Sequence, residues 1–309
     1  MNVRKKHITI FTTVSDSSLP YLAVTLQSIN DNAGSDLAYD VRILTSGLAP
    51  YNRRRLRHMP LPHLNVTIVD INARVEEYRA DLEERLPDYI DEETFYPFFI
   101  ASVYPRLAKA LYVEPGTLFL SDAAGLYSLN IEDAVIAGFV DSRIEKSPAF
   151  YDYVRKWVGA PPECYVGASV LLMNLSAFRK YRLEEKLIRL ISGYNFDTVS
   201  PASDYLNFLC RRCVHVISED ELERSVISAD PLLSPWYYAD IPYAGEFWDV
   251  ARRTPFYEDI RLGYVELGAD GRALMGEKRN RFSLRAASLS ELLGGFFSTL
   301  GDNYLIAKK

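Results

Sequence analysis

Cysteine is scarce in this chain of 309 residues, which has only Cys164, Cys210 and Cys213. So small and odd a number builds no disulfide framework and suits a reducing compartment. Cys210-Arg-Arg-Cys213 is a lone C-x-x-C with no second pair at zinc-finger spacing. Two packing cysteines on an amphipathic helix stand against a metal or redox role there. Long apolar runs are missing as well, and nothing approaches the ~20 residues of a membrane span. The apolar run from His7 to Val14 follows a basic start but is short, threonine-rich and stopped by Asp16, so it reads as a strand and not as a signal peptide. Positive charge is not in excess either. The formal net charge is -6 with the signs mixed along the chain, which argues against nucleic acid as a partner. The four histidines, His7, His58, His63 and His215, lie at no ligand spacing. No G-x-G-x-x-G and no Walker loop occurs, so neither a dinucleotide site nor a P-loop is supported.

What is present is the pattern of a sizeable globular protein, 48% hydrophobic and 25% charged. His7 to Val14 is β-branched and nearly all apolar, as a buried parallel strand is, and leads into a helical pattern from Pro20 to about Asn30. Strand patterns recur at Tyr39 to Thr45 and Leu64 to Ile71, with an arginine-rich helical stretch, Tyr51 to His58, between them. That alternation predicts an α/β fold with a mostly parallel, doubly wound sheet. Ligands of such sheets bind outside the carboxyl ends of the strands, where Asp16, Ser46 and Glu114 are expected. Arg74 to Glu93 reads as a charged helical face. Val135 to Val140 and Ser169 to Leu175 read as further buried strands, and Leu183 to Ile191 and Asp204 to Cys213 as helices. From Pro231 to Phe256 aromatics and prolines crowd together, and Leu289 to Ile306 is a terminal amphipathic helix candidate. That last segment either docks on the body or makes peripheral membrane or partner contact.

Several stretches together resemble the family 8 glycosyltransferases. They are Ile8-Thr-Ile-Phe-Thr-Thr-Val-Ser-Asp16, Pro20 to Ile29, Phe98-Phe-Ile-Ala-Ser-Val-Tyr-Pro105 and Lys109-Ala-Leu-Tyr112. Val170-Leu-Leu-Met-Asn-Leu175, Asp204-Tyr-Leu-Asn207, Pro235-Trp236 and Phe247-Trp248 to Tyr257 continue the match in order. The resemblance implies a Rossmann-like type-A fold moving a hexose from a nucleotide sugar, with retention, in glycan assembly of bacterial type (lipopolysaccharide, capsule or glycoprotein). It also implies residues 1-257 as the transferase-like domain, with a nucleotide-binding half 1-120, an acceptor-side half 121-257 and a helical extension 258-309. A cytoplasmic location, at most reaching the inner face of the membrane, goes with it.

The departures from the family pattern fall on the chemistry. The two metal-binding aspartates after the Lys109-Ala-Leu-Tyr-Val strand read Glu114-Pro115-Gly116, and the late metal-binding histidine aligns with Ser228. A divalent ion bridging a diphosphate wants a full set of hard oxygen ligands, which one carboxylate does not supply. Pro97 stands for a donor-binding arginine, Gly167 and Ser169 for the Asn and Gly of a sugar-binding motif, and Ser234 for a lysine facing the diphosphate. Of Asp-Gln-Asp, Ala202-Ser203-Asp204 keeps the last member. The resemblance places Asp16, Glu114, Gly116, Gly167, Ser203 and Ser228 around the nucleotide sugar, Asp204 beside the reacting carbon, and Trp236, Tyr237 and Tyr238 at the acceptor or glycan rim. Helix capping remains the alternative for Asp16, a plain salt bridge for Glu114, and a helix N-terminal charge for Asp204. Packing positions such as Leu111, Tyr112, Leu171, Leu206 and Trp236 stand as in the family. The expectation is a degenerate donor site without metal, in a weakly active protein or a noncatalytic subunit that binds a glycan or partners an active transferase. The alternative is an active retaining hexosyltransferase using a UDP-sugar without the usual metal site. UDP-sugar and Mn²⁺ belong to the active case.

Overall fold

The computed structural model describes residues 6–80, 92–193, 197–218, 226–227 and 233–292. Seven strands are hydrogen-bonded in the order β3-β2-β1-β4-β7-β6-β8: β1 (Lys6–Thr13), β2 (Leu37–Thr45), β3 (Leu64–Asp70), β4 (Lys109–Val113), β6 (Ile136–Val140), β7 (Val166–Asn174) and β8 (Val214–Val216). The β1 ladders to β2 and β4 and the β2 ladder to β3 are parallel. β6 runs antiparallel to β7 and parallel to β8. A separate pair joins β5 (Leu118–Phe119) to β9 (Val226–Ile227), antiparallel.

Two compact units make up the chain. The first takes Met1–Asn72, Leu111–Leu129 and Glu219–Arg279. Its central strand β1 is buried from Ile8 to Thr13, whereas β3 at the sheet edge alternates half-buried and exposed residues. A strand covered on both faces needs apolar side chains at every position and an edge strand does not, so the unbroken run at Ile8 belongs in the middle. Helix α1 (Leu19–Asp31) begins with proline in its first turn, where the missing N–H costs nothing, and is buried from Leu22 to Asn30. One side of α1 carries Thr25 and Ser28, and Asn32 follows at its C-cap. Thr25 Oγ1 accepts from Gly116 N at 2.9 Å and Ser28 Oγ from Phe119 N at 3.0 Å, while Asn32 Nδ2 donates to the Phe119 carbonyl at 3.1 Å. Buried hydroxyls thus satisfy the backbone of the segment that follows β4.

The second unit takes Ala73–Ala110, Asn130–Ser218 and Asn280–Lys309. Its strand β7 is buried over most of its length, and the Leu183–Gly193 helix buries its Leu183, Leu187, Ile188, Leu190 and Ile191 face. The Pro201–Cys210 helix is buried from Ser203 through Cys210. It stops at Cys210, so Cys213 lies beyond it and donates its N–H back to the Cys210 carbonyl at 2.6 Å. The two cysteines therefore do not share a helix face. Pro97 sits buried in the first turn of the Tyr96–Val103 helix, a position that tolerates proline.

The helix Tyr257–Glu291 is interrupted at Gly268, whose φ of 56° and ψ of -166° only glycine adopts without strain. Of the expected terminal helix only Leu289 to Leu292 is described, and of the charged stretch 74–93 residues 81–91 lie outside the described residues. Among the described residues no helix is long and apolar enough to cross a membrane.

Candidate functional site

In the first unit, β4 ends at Val113 and the chain turns at once. The Thr117 N–H donates to the Glu114 carbonyl at 3.2 Å, and Gly116 has φ 90°. Proline second and a positive-φ glycine third is the signature of a type II β-turn. Gly116 is buried and its N–H is given to Thr25. The position where the resemblance places a second metal-binding carboxylate is therefore one whose backbone disfavours any residue with a Cβ. Glu114 is half-buried, and Ser228 lies outside the described residues. Among the described residues no three of His, Cys, Asp and Glu converge. One carboxylate beside a proline and a glycine does not fit a hard cation bridging a diphosphate.

Asp16 follows β1 and is exposed. Its carboxylate accepts from Ala49 N at 3.1 and 3.3 Å and from Asn52 Nδ2 at 2.8 Å. It therefore serves the N-terminus of α2 (Pro50–Arg57), whose own N-cap residue Ala49 has no side chain able to cap. The serine at the N-cap of α1, Ser18, makes no side-chain cap bond and instead accepts from Ser15 N at 3.0 Å. Capping is thus what Asp16 does here, but for the second helix. Asp122 is likewise occupied, accepting from the Tyr39 hydroxyl at 2.6 Å, Ala124 N at 2.8 Å and Gly34 N at 3.2 Å. Burial first, and that carboxylate second, push the Tyr39 hydroxyl up to about 12.

The aromatic segment forms a cluster in the same unit. Trp236 is 7% exposed and stacks on Tyr21 at 4.1 Å and 24°. Tyr237 meets Trp236 edge-on at 5.9 Å, and Phe247 is fully buried. Tyr237, Tyr238 and Trp248 remain half-buried. Burial, with Tyr237 alongside, raises the Tyr21 hydroxyl to about 12. Ser234 is buried, and its carbonyl accepts from Tyr237 N and Tyr238 N at 2.9 and 3.1 Å.

The second unit holds Asp204 with 0% of its surface exposed. Tyr165 donates its hydroxyl to Oδ1 at 2.7 Å, while the Tyr153 hydroxyl and Ser200 N donate to Oδ2 at 2.8 and 2.9 Å. Burial raises the carboxyl to about 6, and the two tyrosines, the Ser200 amide and the Arg143 charge hold it from rising further. Burial, with the carboxylate beside them, drives both tyrosine hydroxyls well above their ordinary value. Ser203 Oγ accepts from Ala168 N at 3.1 Å. One turn on, Asn207 clamps Val166, accepting from its N–H at 2.9 Å and donating to its carbonyl at 2.7 Å. A Cβ added at Gly167 would meet only Asp141 Oδ2, at 3.9 Å, so this glycine leaves open space. Asp141 receives a two-pronged hydrogen bond from Arg143, with Nε at 2.8 Å. The same guanidinium donates to Ser200 Oγ at 3.1 Å and lies 4.6 and 4.9 Å from the ring centres of Phe150 and Phe282.

Asp204 and Ser203 are therefore brought together with Gly167's strand, and Trp236 with Tyr237 and Tyr238. The sequence reading missed Tyr153, Tyr165, Arg143 and Thr25. Asn207 was visible in Asp204-Tyr-Leu-Asn207, but nothing in the sequence gave its role. As built, Asp204 is buried and receives hydrogen bonds from interior donors on both oxygens.

Known proteins share this fold. The profile of Glycosyl transferase family 8 matches residues 9–220. A Haemophilus influenzae protein named "Putative glycosyltransferase" is 26% identical over 131 residues, which cover 42% of this chain and 39% of that protein. The Bos taurus glycosyltransferase 8 domain-containing protein 1 is 20% identical over 202 residues, 60% of this chain and 54% of that protein. The chain thus spans about half or less of these relatives. Among solved structures, the apo form of the bifunctional glycosyltransferase WbbM superposes with a TM-score of 0.68 at 16% identity, over 85% of this chain and 52% of that one. The galactosyltransferase LgtC, solved with donor and acceptor sugar analogues, gives 0.62 at 18% identity, over 80% of this chain and 96% of that one. The structural likeness establishes a type-A fold, and the profile match, running from β1 past the Asp204 helix, settles the lineage: the chain belongs to glycosyl transferase family 8.

Proposed function

We propose that this protein works in glycan assembly of bacterial lipopolysaccharide, capsule or glycoprotein type with a donor site that no longer holds a bridging metal. In this reading it has weak or no transferase activity and acts by binding a glycan or by partnering an active transferase. The observation that carries the reading is the turn at Glu114 to Thr117, where Gly116 has φ 90° and its N–H is given to Thr25. Loss of a diphosphate-bridging ion forfeits several kcal/mol of charge stabilisation, and each ~1.36 kcal/mol is tenfold in rate. Arg55, one of the clustered α2 arginines offered by the sequence to replace that charge, is engaged by Asp259 at 2.5 Å and by the Pro255 carbonyl at 2.7 Å. Asp204, buried under two tyrosines, is proposed to position its helix rather than to touch the sugar. The division into a donor half 1-120, an acceptor half 121-257 and an extension 258-309, and a place at the cytoplasmic face of a membrane, belong to the same proposal.

Calorimetry with UDP, with and without Mn²⁺, tests it. The expected outcome is the same weak UDP affinity in both. Mn²⁺-dependent tightening that disappears in Glu114→Ala overturns the metal-free reading. Robust hexose transfer from a UDP-sugar that Asp204→Asn abolishes would establish instead an active enzyme with a rebuilt site.

A further inference from the structure

The first unit carries an arginine, Arg272, whose guanidinium lies beside an aromatic ring and makes no ion pair among the described residues. Four arginines of this unit's surface are held in ion pairs, Arg55 with Asp259, Arg252 with Asp249, Arg253 with Asp31 and Arg261 with Glu258. Arg272 has no such partner among the described residues; Glu266 and Asp270, the acids nearest in sequence, are exposed and make no ion pair with it. Its guanidinium carbon lies 5.4 Å from the centre of the Tyr264 ring, across the break at Gly268. Tyr264 in turn meets Trp248 edge-on at 5.6 Å, and the Tyr238 hydroxyl donates to the Arg272 carbonyl at 3.4 Å. All four side chains are half-buried, each with part of its surface reachable from solvent.

An arginine held over a ring keeps its planar fork of donors at a fixed tilt, the geometry that recognises a carboxylate through two parallel bonds. Half-buried tyrosine and tryptophan rings next to it supply apolar surface with a polar edge, which suits the C–H face of a sugar. We propose that Arg272, Tyr264, Trp248 and Tyr238 form a subsite for a sugar unit bearing a carboxylate. This deepens the glycan-binding reading above and rests on it.

The test uses the full chain and two probes, methyl β-D-glucuronide and methyl β-D-glucoside, which differ only in the carboxylate. Binding is followed by tryptophan emission and by saturation-transfer NMR. The glucuronide is expected to bind about tenfold more tightly than the glucoside. Arg272→Gln should bring the two to the same affinity without lowering Tm, and Tyr264→Leu should weaken both. Equal affinities in the unmodified protein, a preference that survives Arg272→Gln, or no saturation by either sugar at roughly 50 mM overturns the proposal. Inorganic phosphate binding as tightly as the glucuronide also overturns it, since that marks an anion site without sugar recognition. Mn²⁺-dependent UDP binding would sink the donor-site reading and leave this subsite standing, so the two failures are distinguishable.

Discussion

Asp204→Asn separates a buried structural carboxylate from an accessible catalytic one through the pH dependence of its effect on stability. Burial raises this carboxyl from 3.8 to about 6 in the folded protein. A group whose folded pKa lies above its unfolded value adds stability that is fully present below the unfolded pKa and is lost as pH rises through the folded one. Between pH 7 and pH 4.5 the linkage integral for these two pKa values amounts to about 2 kcal/mol in favour of the wild type at the lower pH. Asparagine has no such term. At pH 7 the substitution replaces charge-assisted bonds from Tyr153, Tyr165 and Ser200 by neutral ones and turns an amide donor toward one tyrosine, while removing the burial of a charge. The net cost there is expected to be about 1–2 kcal/mol. The cost of Asp204→Asn should therefore grow from about 1–2 kcal/mol at pH 7 to about 3–4 kcal/mol at pH 4.5. Urea denaturation of both proteins at the two pH values measures this difference directly. A cost that stays the same within about 0.5 kcal/mol would mean that Asp204 titrates as an ordinary solvated carboxylate, and the interior network described above would not be what holds it.

Gly116→Ala should lower stability by about 1 kcal/mol, because alanine is strained at φ 90°; an unchanged Tm would remove the turn argument from the donor-site reading. Asn207→Ala, which leaves the buried Val166 N–H and C=O without their clamp, should cost about 2–4 kcal/mol by chemical denaturation, and a cost below about 1 kcal/mol would show that water replaces the amide. Arg55→Met should lower Tm by about 2–4 °C, with the deficit shrinking in high salt if the Asp259 pair is the main contribution and persisting if stacking on Phe256 at 4.0 Å is. Replacing Tyr237 and Tyr238 together by alanine should weaken glycan binding while Tm falls by no more than about 4 °C, and a larger fall would assign both rings to the core.

Interior strands and amphipathic helices were legible because their burial repeats along the chain. His7 to Val14, Pro20 to Asn30 and Leu183 to Ile191 each carry their pattern within a dozen residues, and each was found within a residue or two of where it was expected. The turn at Glu114-Pro115-Gly116 is local too, since proline and glycine define it within four residues. The partners of the polar residues were not legible in this way. Asp204 is held by tyrosines 39 and 51 residues away, Asp16 serves a helix beginning more than thirty residues later, and Arg143 lies between Phe150 and the distant Phe282. A hydrogen bond or ring contact leaves no periodic trace, because it depends on which segments the sheet order brings side by side. Local pattern therefore determined the elements and the family. Whether a surviving carboxylate faces a ligand or the interior was decided only when distant donors closed around it, since a buried charge persists only where such donors satisfy it.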